Sequence, residues 1–74
     1  MKLDQSVFVG APDWVEWVST DFDGEAWFHE IKPSAPNDRI WIVAKGGRIK
    51  FAGVFDATNW QNSLIRRNAE EVSK

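Results

Sequence analysis

Asp23-Gly24 stands between two runs rich in aromatic and β-branched residues, Val15–Phe22 and Glu25–Ile31. No other feature limits the fold so strongly. Asp-Gly is among the strongest short-range hairpin signals, because a two-residue type I′ turn needs positive φ at both central positions. A turn of that length predicts a register in which Thr20 opposes Trp27, Val18 opposes His29, and Trp17 opposes Glu30. Period-two alternation then places Trp27 with Val18 and Ile31 on the core face. Trp17 and Phe28 fall on the other face, beside Glu30.

The remaining chain reads as further β-structure closed by one helix. Ser6–Gly10 suits a short edge strand. Lys32–Asp38 is a loop, since Pro33 and Pro36 exclude a central strand. A second hairpin is expected from Arg39–Ala44 and Ile49–Phe55, turning at Gly46-Gly47 alone or over all of Lys45–Arg48, and pairing Ala44 with Ile49 either way. Its purely apolar face (Ile40, Ile42, Ala44, Ile49, Phe51, Phe55) is the expected core. Its mixed face carries Arg39, Trp41, Val43 and Lys50. Thr58 and Gln61 fit a capping box that opens a C-terminal helix over Trp60, Leu64 and Ile65, with Asn59 as the neighbouring choice of cap. The expected fold is therefore mainly β (α+β): a small antiparallel meander of four or five strands with one C-terminal helix. An SH3-like barrel is the alternative closure. All 74 residues form one domain, with 1–11 and 68–74 expected to be flexible at its ends.

So short a chain buries a modest share of its surface and needs reinforcement. There are no cysteines for disulfides and one histidine, His29, so no zinc cluster is available. Five Trp and five Phe remain to build the core. No leader segment or membrane span is apparent, which points to the cytoplasm. Charge is polarised along the chain. Residues 1–38 carry two Lys and eight Asp/Glu, a balance of −6, whereas residues 39–74 carry seven Lys/Arg and three Asp/Glu, a balance of +4. Attraction between the halves, or a basic patch for an anionic ligand, both fit that split.

The motifs do not converge on catalysis. In "DFDGE" the twelfth position from Asp21 is Lys32, where a calcium loop needs a bidentate Glu. His29 has no Ser or Cys partner at a recognisable spacing, and no pair of carboxylates is singled out for glycosidase chemistry. "KGGRIK" lacks the spacing of a phosphate-binding loop. Its backbone N–H groups with Lys45, Arg48 and Lys50, together with Arg39, are candidates for anion binding. Trp17, Phe28 and Trp41 fall on the mixed faces of the two hairpins. They suit a protein contact that includes Glu30, bases of a single-stranded nucleic acid, or, for at least one of the three, a second small core under the helix or the N-terminal arm.

Pro12, Trp14, Trp17, Val18, Asp21, Asp23, Gly24, Trp27, Phe28 and Pro33, followed by Asn59, Trp60, Ser63, Leu64 and Arg67, form a pattern. It resembles a group of short, Trp-rich proteins of tailed bacteriophages and prophages, over roughly residues 12–67. The resemblance implies a phage origin and an accessory role and carries over no catalytic residues; no metal or cofactor is expected. The expectation is a non-enzymatic accessory protein in the host cytoplasm that binds and modulates a host protein, as an inhibitor or anti-defence factor. A nucleotide or single-strand nucleic-acid sponge is the first alternative. A small virion or assembly component, with homo-oligomerisation, is the second.

Overall fold

The structure is a computed structural model that describes residues 3–68. Four strands form one open antiparallel sheet: β1 (Trp17–Thr20), β2 (Glu25–His29), β3 (Ile49–Val54) and β4 (Ile65–Arg66). Their spatial order is β3-β2-β1-β4, so β3 and β4 are edges and the sheet does not close as a barrel. Two short 3-10 turns, Gln5–Phe8 and Trp60–Asn62, complete the regular structure. Gln5–Phe8 replaces the expected edge strand, because the Asp4 side chain accepts the Ser6 N–H at 2.9 Å and starts a turn.

The first hairpin forms where expected, but its register is one residue off. Val18 pairs with Phe28, Ser19 with Trp27, and Thr20 with Ala26. The cause is the turn. Gly24 N–H donates to Asp21 O (3.0 Å) and Asp21 N–H to Glu25 O (2.9 Å), so the loop holds three residues rather than two. Such a loop is a type I turn followed by one positive-φ residue, and Gly24, at φ 90, takes that place. A one-residue slip moves every side chain to the opposite face. Phe28 therefore joins Val18 in the core, while Trp27 leaves it.

The core face carries Val18, Ala26 and Phe28, and the N-terminal segment lies on it. Leu3, Phe8 and Val15 are buried there, with Val7, Ala11, Trp14, Ala52, Phe55 and Ile65 packed around them. Phe8 stacks on Phe28 with ring centroids 6.0 Å apart. Arg67 fastens this layer: its guanidinium donates to Pro12 O (2.8 Å) and Val15 O (3.1 Å) and lies over the Phe8 ring.

The second hairpin is not formed as expected. β3 pairs with β2 along its whole length, with a bulge at Ala52-Gly53. Residues 39–44 form no strand beside it. They run as a loop held by Arg39 O accepting Phe22 N–H, by Asp21 Oδ1 accepting Trp41 N–H (3.0 Å), and by a single bridge between Ser34 and Ile42. The intervening turn explains this. Gly47 N–H bonds to Ala44 O, and of the two central residues only Gly46 has positive φ. That is the pattern of a type II turn, which splays strands instead of pairing them. The expected apolar core face is exposed as a result: Ile40, Ile42, Ile49 and Phe51 all face solvent to 39% or more.

No C-terminal helix follows Thr58 among the described residues. Asn59 adopts a left-handed conformation (φ 59) and caps one 3-10 turn without a side-chain bond. Ser63 Oγ accepts Thr20 N–H at 2.8 Å, and the chain then pairs with β1 as β4. A helix this short is marginal alone, and the free edge of β1 offers ladder bonds instead. Of the terminal segments expected to be flexible, residues 69–74 lie outside the described residues, as do residues 1 and 2.

Candidate functional site

The second face of the sheet carries Trp17, Ser19, Trp27, His29, Ile49 and Phe51, by alternation from the observed register. Trp27 and Phe51 meet edge to face, with centroids 5.3 Å apart. The 39–44 loop crosses part of this face and leaves a cleft of about 250 Å³. Trp27, His29 and Ile49 on the sheet, Ile40, Trp41 and Val43 on the loop, and Asp21 and Glu25 beside the hairpin turn line it.

Trp41 anchors the loop. It is 8% exposed, its backbone N–H is held by Asp21, and its indole N–H donates to Trp60 O at 3.2 Å. Burial raises the Asp21 carboxyl above its ordinary range, the Trp41 N–H partly counters that, and the nearby Asp23 charge adds to the rise. His29 is 3% exposed, and burial pushes its imidazole down to about 4, so it is neutral at pH 7. Its Nε2 lies 2.9 Å from Ser19 Oγ, and its Nδ1 is buried with no partner.

The Ser19–His29 pair was hidden in the sequence by the register slip. The shorter turn sets Ser19 opposite Phe28. The true pairing sets it opposite Trp27, and the histidine two residues on then lies diagonally within reach. The pair does not form a hydrolytic triad. Ser19 is 1% exposed and does not line the cleft, and no carboxylate among the described residues orients Nδ1.

The expected contact residues are dispersed. Trp17 is half-buried on the second face, between the Lys32 ammonium (5.5 Å) and the Arg66 guanidinium (5.7 Å). Phe28, 6% exposed, is a core residue on the opposite face, and buried Trp41 anchors a loop. Phe28 therefore presents no contact surface, and Trp41 is reached only as a wall of the cleft. Glu30 is engaged by Arg48, which donates from Nη2 at 2.9 Å. That bond holds the Glu30 carboxyl below its ordinary range.

The anion-binding candidates do not converge either. Arg39 lies over Phe22 at the turn of the first hairpin, and Arg48 lies at its open end, over Trp14 and on Glu30. The five steps from Glu25 to Glu30 place those ends roughly 17 Å apart. Lys45 and Lys50 are exposed.

Sequence reasoning missed the exposed aliphatic and aromatic surface. Ile40, Ile42 and Val43 on the loop and Ile49, Phe51 and Val54 on the edge strand β3 are all exposed, with Phe51 at 48% and Val54 at 70%, and Ile40, Val43 and Ile49 meet at the cleft. The period-two alternation itself was visible in the sequence, but the partner covering it was assigned wrongly. Among the described residues no helix is long and apolar enough to cross a membrane. The fold and face together define a small open-sheet protein with one sealed and one partly covered side. The chain matches no protein-family model, and no solved structure matches it.

Proposed function

We propose that this chain is a phage accessory protein that binds and modulates a host protein, acting as an inhibitor or anti-defence factor without chemistry of its own. One observation carries the reading: large apolar side chains are exposed on the 40–43 loop and on the edge strand β3, and Ile40, Val43 and Ile49 among them line one cleft. Contiguous apolar surface of this kind marks interaction sites, and an edge strand offers unpaired backbone groups to a partner's strand. The nucleotide or single-strand reading has less support, because Arg39 and Arg48 stand at opposite ends of the hairpin and Arg48 is tied to Glu30.

The test is comparative capture of proteins from a bacterial lysate. Wild type is run beside an Ile49→Lys/Phe51→Lys variant and beside Val9→Lys, which alters an exposed apolar residue elsewhere on the chain. A protein retained by wild type and Val9→Lys, and lost by the double variant, supports the reading. Equal recovery by all three overturns it. A wild-type chain that light scattering finds as a symmetric oligomer, which the double variant dissolves, assigns the face to copies of this chain and favours a virion component.

A further inference from the structure

We infer that the cleft beneath the 39–44 loop binds an organic cation: an ammonium or guanidinium group carried on an apolar stem. Its walls are indole and aliphatic (Trp27, Trp41, Ile40, Val43, Ile49), and its charged lining is acidic, Asp21 and Glu25. Among the described residues no Lys or Arg lines it. Indole rings attract cations through their quadrupole, and carboxylates at the rim accept their N–H groups. One Asp21 oxygen accepts the Trp41 N–H, which fixes the carboxyl at the cleft and leaves its second oxygen for a ligand.

An independent observation points the same way. His29 lines the cleft, is 97% buried by its 3% exposure, and its Nδ1 has no hydrogen-bond partner. Buried polar atoms are rarely left in that condition. When Nε2 donates its proton to Ser19 Oγ, Nδ1 keeps a lone pair just behind the cleft wall, and its negative potential favours a cation in the cleft. The volume limits the ligand further. Drug-sized molecules need roughly 300–1,000 Å³, so about 250 Å³ suits an amine on a short chain or one Lys or Arg side chain.

The ligand has two sources, a free amine or the side chain of a bound protein, and the test separates them. The full chain, labelled with ¹⁵N, is titrated with n-butylammonium and n-butylguanidinium. Butyrate and n-butanol, with the same stem but no cation, are the controls. The indole N–H signals of Trp27 and Trp41 report binding. Saturable shifts at those two signals with both cations, and none with butyrate or butanol, are the expected result. Affinity falls about tenfold or more, the scale of one lost charged hydrogen bond, in Asp21→Asn and in Glu25→Gln. Glu25 is exposed, so its variant keeps the test decisive if Asp21→Asn does not fold.

A Lys-containing apolar peptide that binds about tenfold tighter than butylammonium assigns the cleft to a partner's side chain, and equal affinity assigns it to a free amine. The peptide arm rests on the protein-binding reading, and the amine arm does not. Absence of saturable shifts with either cation, or equal binding of butyrate, overturns the inference even if lysate capture succeeds.

Discussion

The two faces of the sheet use the same kinds of residue to opposite ends. On one, Val18, Ala26 and Phe28 lie under Leu3, Phe8 and Val15, and all six are buried. On the other, Trp27, Ile49 and Phe51 are covered in part by a loop whose own Ile40, Ile42 and Val43 are exposed. Composition does not separate the faces, since both are aromatic and aliphatic. The covering segment does. The N-terminal layer is locked by Arg67 to two carbonyls, whereas the 39–44 loop is held mainly by Asp21 and the Trp41 indole. A chain of 74 residues with apolar side chains to spare therefore has one face sealed for stability and one left partly open.

The largest contrast between the faces is expected on truncating one ring from each. Phe28→Ala leaves a cavity under Phe8 and costs about 3–5 kcal/mol, enough to unfold much of the population of so small a domain. Phe51→Ala, on a half-exposed ring, costs about 1 kcal/mol. Urea melts of both variants check this, and equal losses would break the comparison.

Acid is the next probe, because His29 sits buried behind the open face. Its pKa falls from roughly 6.5 in the unfolded chain to about 4 in the folded one. Between those values the unfolded chain binds the extra proton, so stability is full above the unfolded value and falls as pH drops toward the folded one. The loss is at most roughly 3–4 kcal/mol, at about 1.4 kcal/mol per unit. Asp21, raised by burial, works with the opposite sign and offsets part of it. Glu30, lowered by Arg48, adds to the loss only at the acid end of the range. Melts across this range should slope in wild type and flatten in His29→Gln.

How far the sequence foretold these faces depends on what set each element. The first hairpin was legible from Asp23-Gly24, but its register was not, because the same dipeptide serves a two-residue loop and a three-residue loop. Trp27 and Phe28 exchanged roles on that one residue. The Ile49–Val54 strand was legible from its β-rich composition, yet its partner was decided by the turn at Gly46, whose type no residue count reveals. The expected helix at Trp60 lost to edge pairing with β1, a tertiary bond that local propensity cannot express. The cleft was illegible for the same reason, since it needs the true register and the true course of residues 39–44 together.

Two smaller effects sharpen the seam between the faces. An alanine Cβ at Gly24 meets the Phe55 carbonyl oxygen at 2.7 Å, in a backbone of φ 90, where β1–β2 meets the end of β3. Gly24→Ala should cost about 2 kcal/mol, measured by thermal melting. Gly10→Ala, at φ 79 but in open space, should cost about half that. Smallest of all is Glu30→Gln. It breaks an exposed ion pair and should leave the unfolding midpoint unchanged at moderate salt.

The separation of the faces rests finally on the pairing of β1 with β2, which cross-strand nuclear Overhauser contacts between α-protons read directly. Counting from the hydrogen-bonded Asp21–Glu25 pair, Val18 and Phe28 form a non-hydrogen-bonded pair, whose Cα atoms approach to roughly 4.5 Å. A strong α-proton contact between Val18 and Phe28, with another between Thr20 and Ala26, is the result expected. Strong α-proton contacts from Ser19 to Phe28 and from Asp21 to Ala26, the non-hydrogen-bonded pairs of the two-residue-loop register, would contradict it, returning Trp27 to the core and removing the open face.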